Sequence, residues 1–192
     1  MSRHLGFTLL ELIITMLIIA TLVGFAVVRF SGSSGYDEYA YQARLISVLR
    51  NMQTRAMNDT RNGFCFQVNF DNANNAFGPP TLNYQLTAPA ANTCNSTIDV
   101  NNVLTSSTAA TVSHLYATSA ETSQDNITMI ARNSLGNSIA FIGFNHLGMP
   151  LTSDAGNDNC ASGCTVDFTS SVSTARVCIE SQGYVHEGSC GT

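Results

Sequence analysis

The chain has 192 residues, 44% hydrophobic and only 11% charged, with no tryptophan. Average chains carry about 25% charged residues, so neutral Ser, Thr and Asn do most of the solvating here. A net charge of −5 excludes a general affinity for nucleic-acid phosphates, and the length allows one ordinary domain plus a tail but not two full domains.

The charge is unevenly spread. Residues 1–61 carry six arginines against Glu11, Asp37, Glu38 and Asp59, whereas residues 62–192 carry only Arg132 and Arg176 against nine acids, and all six cysteines. An apolar and then basic start therefore precedes an acidic, cysteine-bearing body.

The start contains the run LIITMLIIATLVGFAVV over residues 12–28, broken only by Thr15, Thr21 and Gly24. Together with residues 7–10 it is long enough to cross a hydrocarbon core of about 30 Å at about 1.5 Å per helical residue. A cleaved secretory signal would show an apolar stretch of about 7–15 residues and then a small-residue cleavage site. This run is longer and ends in Val28-Arg29-Phe30, which predicts a retained anchor. Arg3 and His4 precede it, so the positive-inside rule predicts a cytoplasmic N-terminus and a body outside the cytoplasm. Cysteine usage points the same way, because disulfides persist in oxidising compartments.

Glu11 interrupts the apolar run, where a charged side chain costs roughly 2.5–3.5 kcal/mol on insertion scales. Ionisable groups at such depth are functional by default and need a partner. No basic residue lies one turn away on the same helix, so a cation is expected from another molecule or from a terminal amine.

The stretch Gly6-Phe7-Thr8-Leu9-Leu10-Glu11-Leu12, behind a short leader with Arg3, resembles the class III signal of type IV pilins and type II secretion pseudopilins. The resemblance implies a leader at residues 1–6, cleavage between Gly6 and Phe7 by a prepilin peptidase, and N-methylation of Phe7. Residues 7–30 become the transmembrane and assembly helix. Glu11 becomes the fifth mature residue and neutralises the terminal amine of a neighbouring subunit. Loss of Arg3 leaves seven arginines against thirteen acids, a mature charge of −6.

Ser31-Gly32-Ser33-Ser34-Gly35 is a helix breaker and reads as a joint. Residues 36–61 then predict an amphipathic helix whose stripe is Tyr41, Leu45, Val48, Met52 and Ala56. Arg44, Arg50, Arg55 and Arg61 fall mostly off the stripe and are expected on a solvated face that complements the helix dipole. From residue 62 to 192 the pattern is one of strands and loops. Strands are expected at 64–70, 82–86, 98–104, 112–117 and 165–169. A hairpin is expected from 127–132 and 138–145, and a second from 176–180 and 184–186 around Ser181-Gln182-Gly183, where glycine supplies a positive φ. The expected fold is α+β and type IV pilin-like, a long N-terminal helix (transmembrane half, then amphipathic half) packed on an antiparallel sheet.

Two later stretches, FIGFNHLG at 141–148 and RVCIESQGYV at 176–185, resemble pseudopilin H and FimT-type minor pilins, and residues 41–61 resemble MshC-type minor pilins of mannose-sensitive haemagglutinin pili. FimT-type DNA receptors bind through arginines around the last hairpin turn. Here that turn reads Gly183-Tyr184-Val185-His186-Glu187, without arginine, so no nucleic-acid partner is expected.

The cysteines admit 15 pairings. Spacing suggests Cys160–Cys164 as a small loop, Cys178–Cys190 as a staple on the terminal hairpin, and Cys65–Cys94 across the first strand's loop. A zinc reading of Cys160 and Cys164 with His146 or His186 lacks the second close pair that such clusters use. Asp154-Ala155-Gly156-Asn157-Asp158-Asn159 is oxygen-rich but lacks the alternating ligands of a calcium loop, and reads as solvated. His114 is expected to sit in a sheet. Three sequons, at Asn58, Asn95 and Asn126, carry no weight if the host is bacterial, as the resemblance of the leader implies.

No nucleophile elbow, phosphate loop or paired-acid site appears, so neither enzyme activity nor a metal or cofactor is expected. The expected role is that of a minor prepilin taking part in type IV pilus assembly, at the initiating or tip complex or within the filament. An H-type secretion pseudopilin is the alternative, and a DNA-uptake pilin or tip adhesin follows behind. Expected partners are the prepilin peptidase, other minor pilins and the major pilin, the inner-membrane assembly platform, and lipid through residues 7–30. The chain would first be anchored in the inner membrane and then enter a pilus or pseudopilus.

Overall fold

The computed structural model describes residues 9–30, 35–61, 63–80, 94, 98, 113–153 and 160–191, with side chains undescribed at 25–30. The chain forms two compact units, Met1–Ser33 and Ser34–Thr192. In the first, α1 runs from Leu9 to Phe30.

The second unit is built on α2, Asp37–Asn58. Its sequence is rich in the strong helix formers Ala, Leu, Arg, Met and Gln. Asp37 and Glu38 lie in its first turn and Arg55 in its last, each favourable to the helix dipole. The whole predicted stripe (Tyr41, Leu45, Val48, Met52 and Ala56) is buried, joined by Leu49, Gln42 and Glu38.

Two four-stranded antiparallel sheets meet this helix, where a single sheet was expected. The first has the order β2-β1-β4-β5, from Ala76–Gly78, Gln67–Asp71, Phe141–Phe144 and Pro150–Thr152. The second has the order β3-β6-β7-β8, from Thr128–Arg132, Cys164–Thr169, Thr174–Ile179 and Val185–Glu187. The helix α2 lies against β1 and β4 of one sheet and β6, β7 and β8 of the other. This is an α+β arrangement consistent with the type IV pilin fold. Fully buried Leu45, Leu49, Met52, Val68, Met129, Ile142 and Phe168 fill the space between helix and sheets. Phe168 stacks on Tyr41 with centroids 6.0 Å apart and meets Phe77 edge-on at 5.7 Å.

Three sequence expectations are corrected. Residues 127–132 and 138–145 pair only at the root of the predicted turn, through the antiparallel bridge Arg132–Ser138 and the N–H groups of Asn133 and Ile139 to the Asn137 and Ala131 carbonyls; beyond it β3 and β4 belong to different sheets. The physical reason lies in the β1–β2 turn. The outward N–H groups of Met129 and Ala131 donate to the side-chain carbonyls of Asn75 (2.8 Å) and Asn72 (2.7 Å). Two amide side chains thus occupy the edge of β3 where a partner strand would pair.

Residues 112–117 are not a strand over their described part. Ser113–Leu115 is a 3-10 turn with His114 exposed, and only Ala117 pairs, as a single bridge to Phe77. Directly after it comes the short helix α3, Ser119–Gln124, opened by a capping box: Thr118 Oγ1 accepts from the Glu121 N–H and the Glu121 carboxylate accepts from the Thr118 N–H. That Thr-x-x-Glu spacing is a sequence signal that the strand reading passed over. The first predicted strand is Gln67–Asp71, shorter than 64–70 and buried along both faces over residues 67–70, so alternation understated its cover. The strand expected at 82–86, that at 98–104 apart from Ile98, and most of the 31–35 joint lie outside the described residues.

Candidate functional site

In α1 the apolar side chains from Leu9 to Val23 are exposed, among them Leu9 at 77%, Leu10 at 69%, Leu17 at 64% and Leu22 at 62%. A helix apolar on every side is stable in water only if lipid or other helices cover it. Its two hydroxyls are satisfied internally, Thr15 donating to the Leu12 carbonyl (2.9 Å) and Thr21 to the Ile18 carbonyl (2.8 Å), as a low-dielectric setting requires. Glu11 lies in the first turn of this helix. Gly6 and Phe7, on which the processing expectation falls, lie outside the described residues. Among the described residues no helix is long and apolar enough to cross a membrane. The apolar run of the sequence continues through Val28, past Gly24, the last α1 residue with a described side chain.

In the body, Cys65 is bonded to Cys94, Cys160 to Cys164 and Cys178 to Cys190, with Cα separations of 5.0, 4.8 and 5.2 Å, all within the disulfide range. Two of the bridges adjoin. Cys164 on β6 and Cys178 on β7 lie on paired strands, and Cys190 Sγ approaches the Cys164 carbonyl at 3.5 Å. They tie the C-terminal tail to the second sheet, and Glu180 completes the tie by accepting from the Gly191 N–H (2.8 Å). That N–H and His186 hold the Glu180 carboxyl below its usual range. The Glu187 carbonyl and then Glu180 raise His186 above its ordinary value.

Among the described residues the one group of three potential metal donors is Cys178, Glu180 and Cys190. Both sulfurs are consumed in one disulfide, which leaves a single carboxylate to bind anything. The same applies to Cys160 and Cys164, whose bond removes the thiolates that a zinc site with His146 or His186 would need. The segment Asp154–Asn159 lies outside the described residues.

The arginines are engaged in the fold. Arg44 donates to the Tyr116 carbonyl (2.8 Å) and reaches Glu121 at 3.5 Å; Arg50 donates to the Val185 carbonyl (2.8 Å). Arg50 is exposed and Arg44 part-exposed, as a solvated face requires, and both in addition tie α2 to main-chain carbonyls of the body. Arg61 is held by Asp59 and lies over the Phe64 ring, 3.9 Å from its centroid. Arg132 and Arg176 share Asp167, the latter through two guanidinium hydrogen bonds.

Sequence reasoning missed Glu38. It is fully buried at the first turn of α2, and its Oε1 accepts from the hydroxyls of Ser170 and Ser173 (2.7 Å for the latter) in the β6–β7 turn. An acidic residue at the head of a helix reads as a dipole complement and gives no sign of a distant partner. Burial pushes this carboxyl up, but the Ser170 and Ser173 hydroxyls and the N–H groups of Glu38 and Ser173 outweigh it and leave it below 4.5. A carboxyl lowered in the folded state stabilises the fold above its unfolded value, and that contribution disappears as pH falls through the folded value. Chemical denaturation of the body is therefore expected to show an acid-side loss of stability beginning near pH 4.5, part of which is absent in Glu38→Gln. Equal acid-side slopes in the two proteins would contradict this role.

No curated protein and no solved structure matches the chain. Residues 1–27 match the Prokaryotic N-terminal methylation motif, a type IV pilin-like prepilin signal.

Proposed function

We propose that the chain is a minor pilin. It is cleaved after Gly6, methylated on Phe7, and inserted through residues 7–30 into the bacterial inner membrane with its body on the periplasmic side. It then enters the initiating complex, tip or shaft of a type IV filament. The observation that carries this reading is the methylation motif at residues 1–27, running into a helix whose apolar side chains face outward. Such a helix has two stable environments, a bilayer and a bundle of like helices, and assembly moves it from one to the other. The disulfide-stapled body lends itself to display, since its cross-links restrict unfolding outside the cell.

The engaged arginines support a reading without nucleic acid. Phosphate binding scales with the number of cations presented together, and Arg44, Arg50, Arg61, Arg132 and Arg176 are each held by carbonyls or carboxylates of the body. Intact-mass and N-terminal analysis of the chain from a host with prepilin peptidase tests the reading. The expected product begins at Phe7 and carries one methyl group on its amine. A mature chain that begins elsewhere, or one that keeps Met1–Gly6, would overturn it.

A further inference from the structure

The end of the body nearest α1 in the chain exposes aromatic and apolar side chains that no described residue of the body covers. Tyr36 is 80% exposed, Val172 63% and Tyr39 50%. Tyr36 is the N-cap of α2 and Tyr39 stands in its first turn. Val172 is brought to the same end from the β6–β7 turn, where its side chain lies 4.0 Å from the Cβ position of Gly35. That placement is rigid, because Glu38 on the first turn of α2 holds the hydroxyls of Ser170 and Ser173 on either side of Val172. A valine at the tip of a hairpin turn, where polar residues are the rule, has no packing reason inside the body.

We infer that Tyr36, Tyr39 and Val172 form a foot that rests in the headgroup region of the bilayer holding α1. The inference depends on the membrane anchor proposed above. Connectivity favours lipid as the occupant: only five residues separate Phe30 from Tyr36 in the sequence, a chain length of at most about 20 Å. At about 1.5 Å per residue, Met57 at the far end of α2 stands roughly 30 Å further along the helix. The chemistry suits an interface, since tyrosine pairs an apolar ring with a hydroxyl and gathers at membrane–water boundaries. Charge does not drive the contact. Asp37 stands beside Tyr36, and Arg176, which shares a groove with Tyr39, is engaged by Asp167. The foot should therefore bind zwitterionic lipid without the help of anionic headgroups. A body seated in this way would present its far end to incoming subunits.

The absence of tryptophan makes the test direct. Full-length Leu17→Trp, Val172→Trp, Tyr39→Trp and Met57→Trp are each reconstituted into phosphatidylcholine vesicles with and without chain-brominated lipid. All four positions are exposed, so folding is spared. The expected result is strong quenching of Leu17→Trp, a blue shift with clear quenching of Val172→Trp and Tyr39→Trp, and neither effect in Met57→Trp. If Leu17→Trp is quenched while Val172→Trp and Tyr39→Trp behave like Met57→Trp, the foot is overturned and the anchor stands. An unquenched Leu17→Trp overturns both. A Val172→Trp emission that shifts with protein concentration but not with brominated lipid assigns the patch to a second copy and also overturns the foot.

Discussion

Glu11→Val chains are expected to insert in the membrane normally and to be lost from filaments. A valine removes the one carboxylate from the apolar helix and makes insertion easier, by the roughly 2.5–3.5 kcal/mol that the charge costs. Assembly responds in the opposite sense. If Glu11 neutralises the terminal amine of an adjacent subunit, its removal leaves that amine uncompensated in an apolar bundle. Breaking a buried pair from one side costs about 3–5 kcal/mol, on the order of a hundredfold or more in the assembly equilibrium. The measurement is a fractionation in which membrane and sheared-filament pools are both quantified. Glu11→Val should match the parent in the first and fall by roughly that factor in the second. Normal incorporation would refute the pairing.

Gly183→Ala is expected to be strongly destabilising for the body. Gly183 turns the chain between β7 and β8 at φ +88, and a Cβ there would lie 2.0 Å from the Gly148 carbonyl oxygen and 2.6 Å from Gln53 Nε2. Gln53 donates to the carbonyls of both Gly148 (2.8 Å) and Gly183 (2.7 Å), and so binds two loops to the last turns of α2. An added methyl both strains the turn and pries this bridge apart, an effect on the order of 3 kcal/mol. In a body of this size that is about 10 °C in Tm. Gly188→Ala is the control, since Gly188 has φ +91 with nothing within 4 Å of its Cβ position. It should show only the conformational part, about 1–2 kcal/mol. Equal losses in the two would mean that the close approach at Gly183 relaxes freely.

Much of the architecture is written in local pattern. The 3.6-residue stripe through Tyr41, Leu45, Val48, Met52 and Ala56 specified the buried face of α2, because a helix can hide only one side against sheets. The positive φ of Gly183 was legible from Ser-Gln-Gly between two strand patterns. Where reading failed, the deciding partners were distant in sequence. Asn72 and Asn75 look like ordinary turn residues, yet they take the N–H groups of β3 more than fifty residues later and so send β3 and β4 to different sheets. Arg44 and Arg50 look like solvent-facing charges, yet each finds a carbonyl that only the packed sheets bring within reach.

The sequence by itself determined that the chain begins with a prepilin-type signal and a continuous apolar helix bearing one carboxylate, followed by an acidic body with an amphipathic helix at its head. Those properties follow from composition and from spacing within a few turns of chain, and physical chemistry acts on them directly. Only the tertiary structure decided that the strands divide into two sheets, that the arginines serve as clamps, and that Glu38 holds the β6–β7 turn against the helix start. Each of these depends on a polar group meeting a partner far away in the chain, and such meetings are set by three-dimensional proximity, which no local pattern encodes.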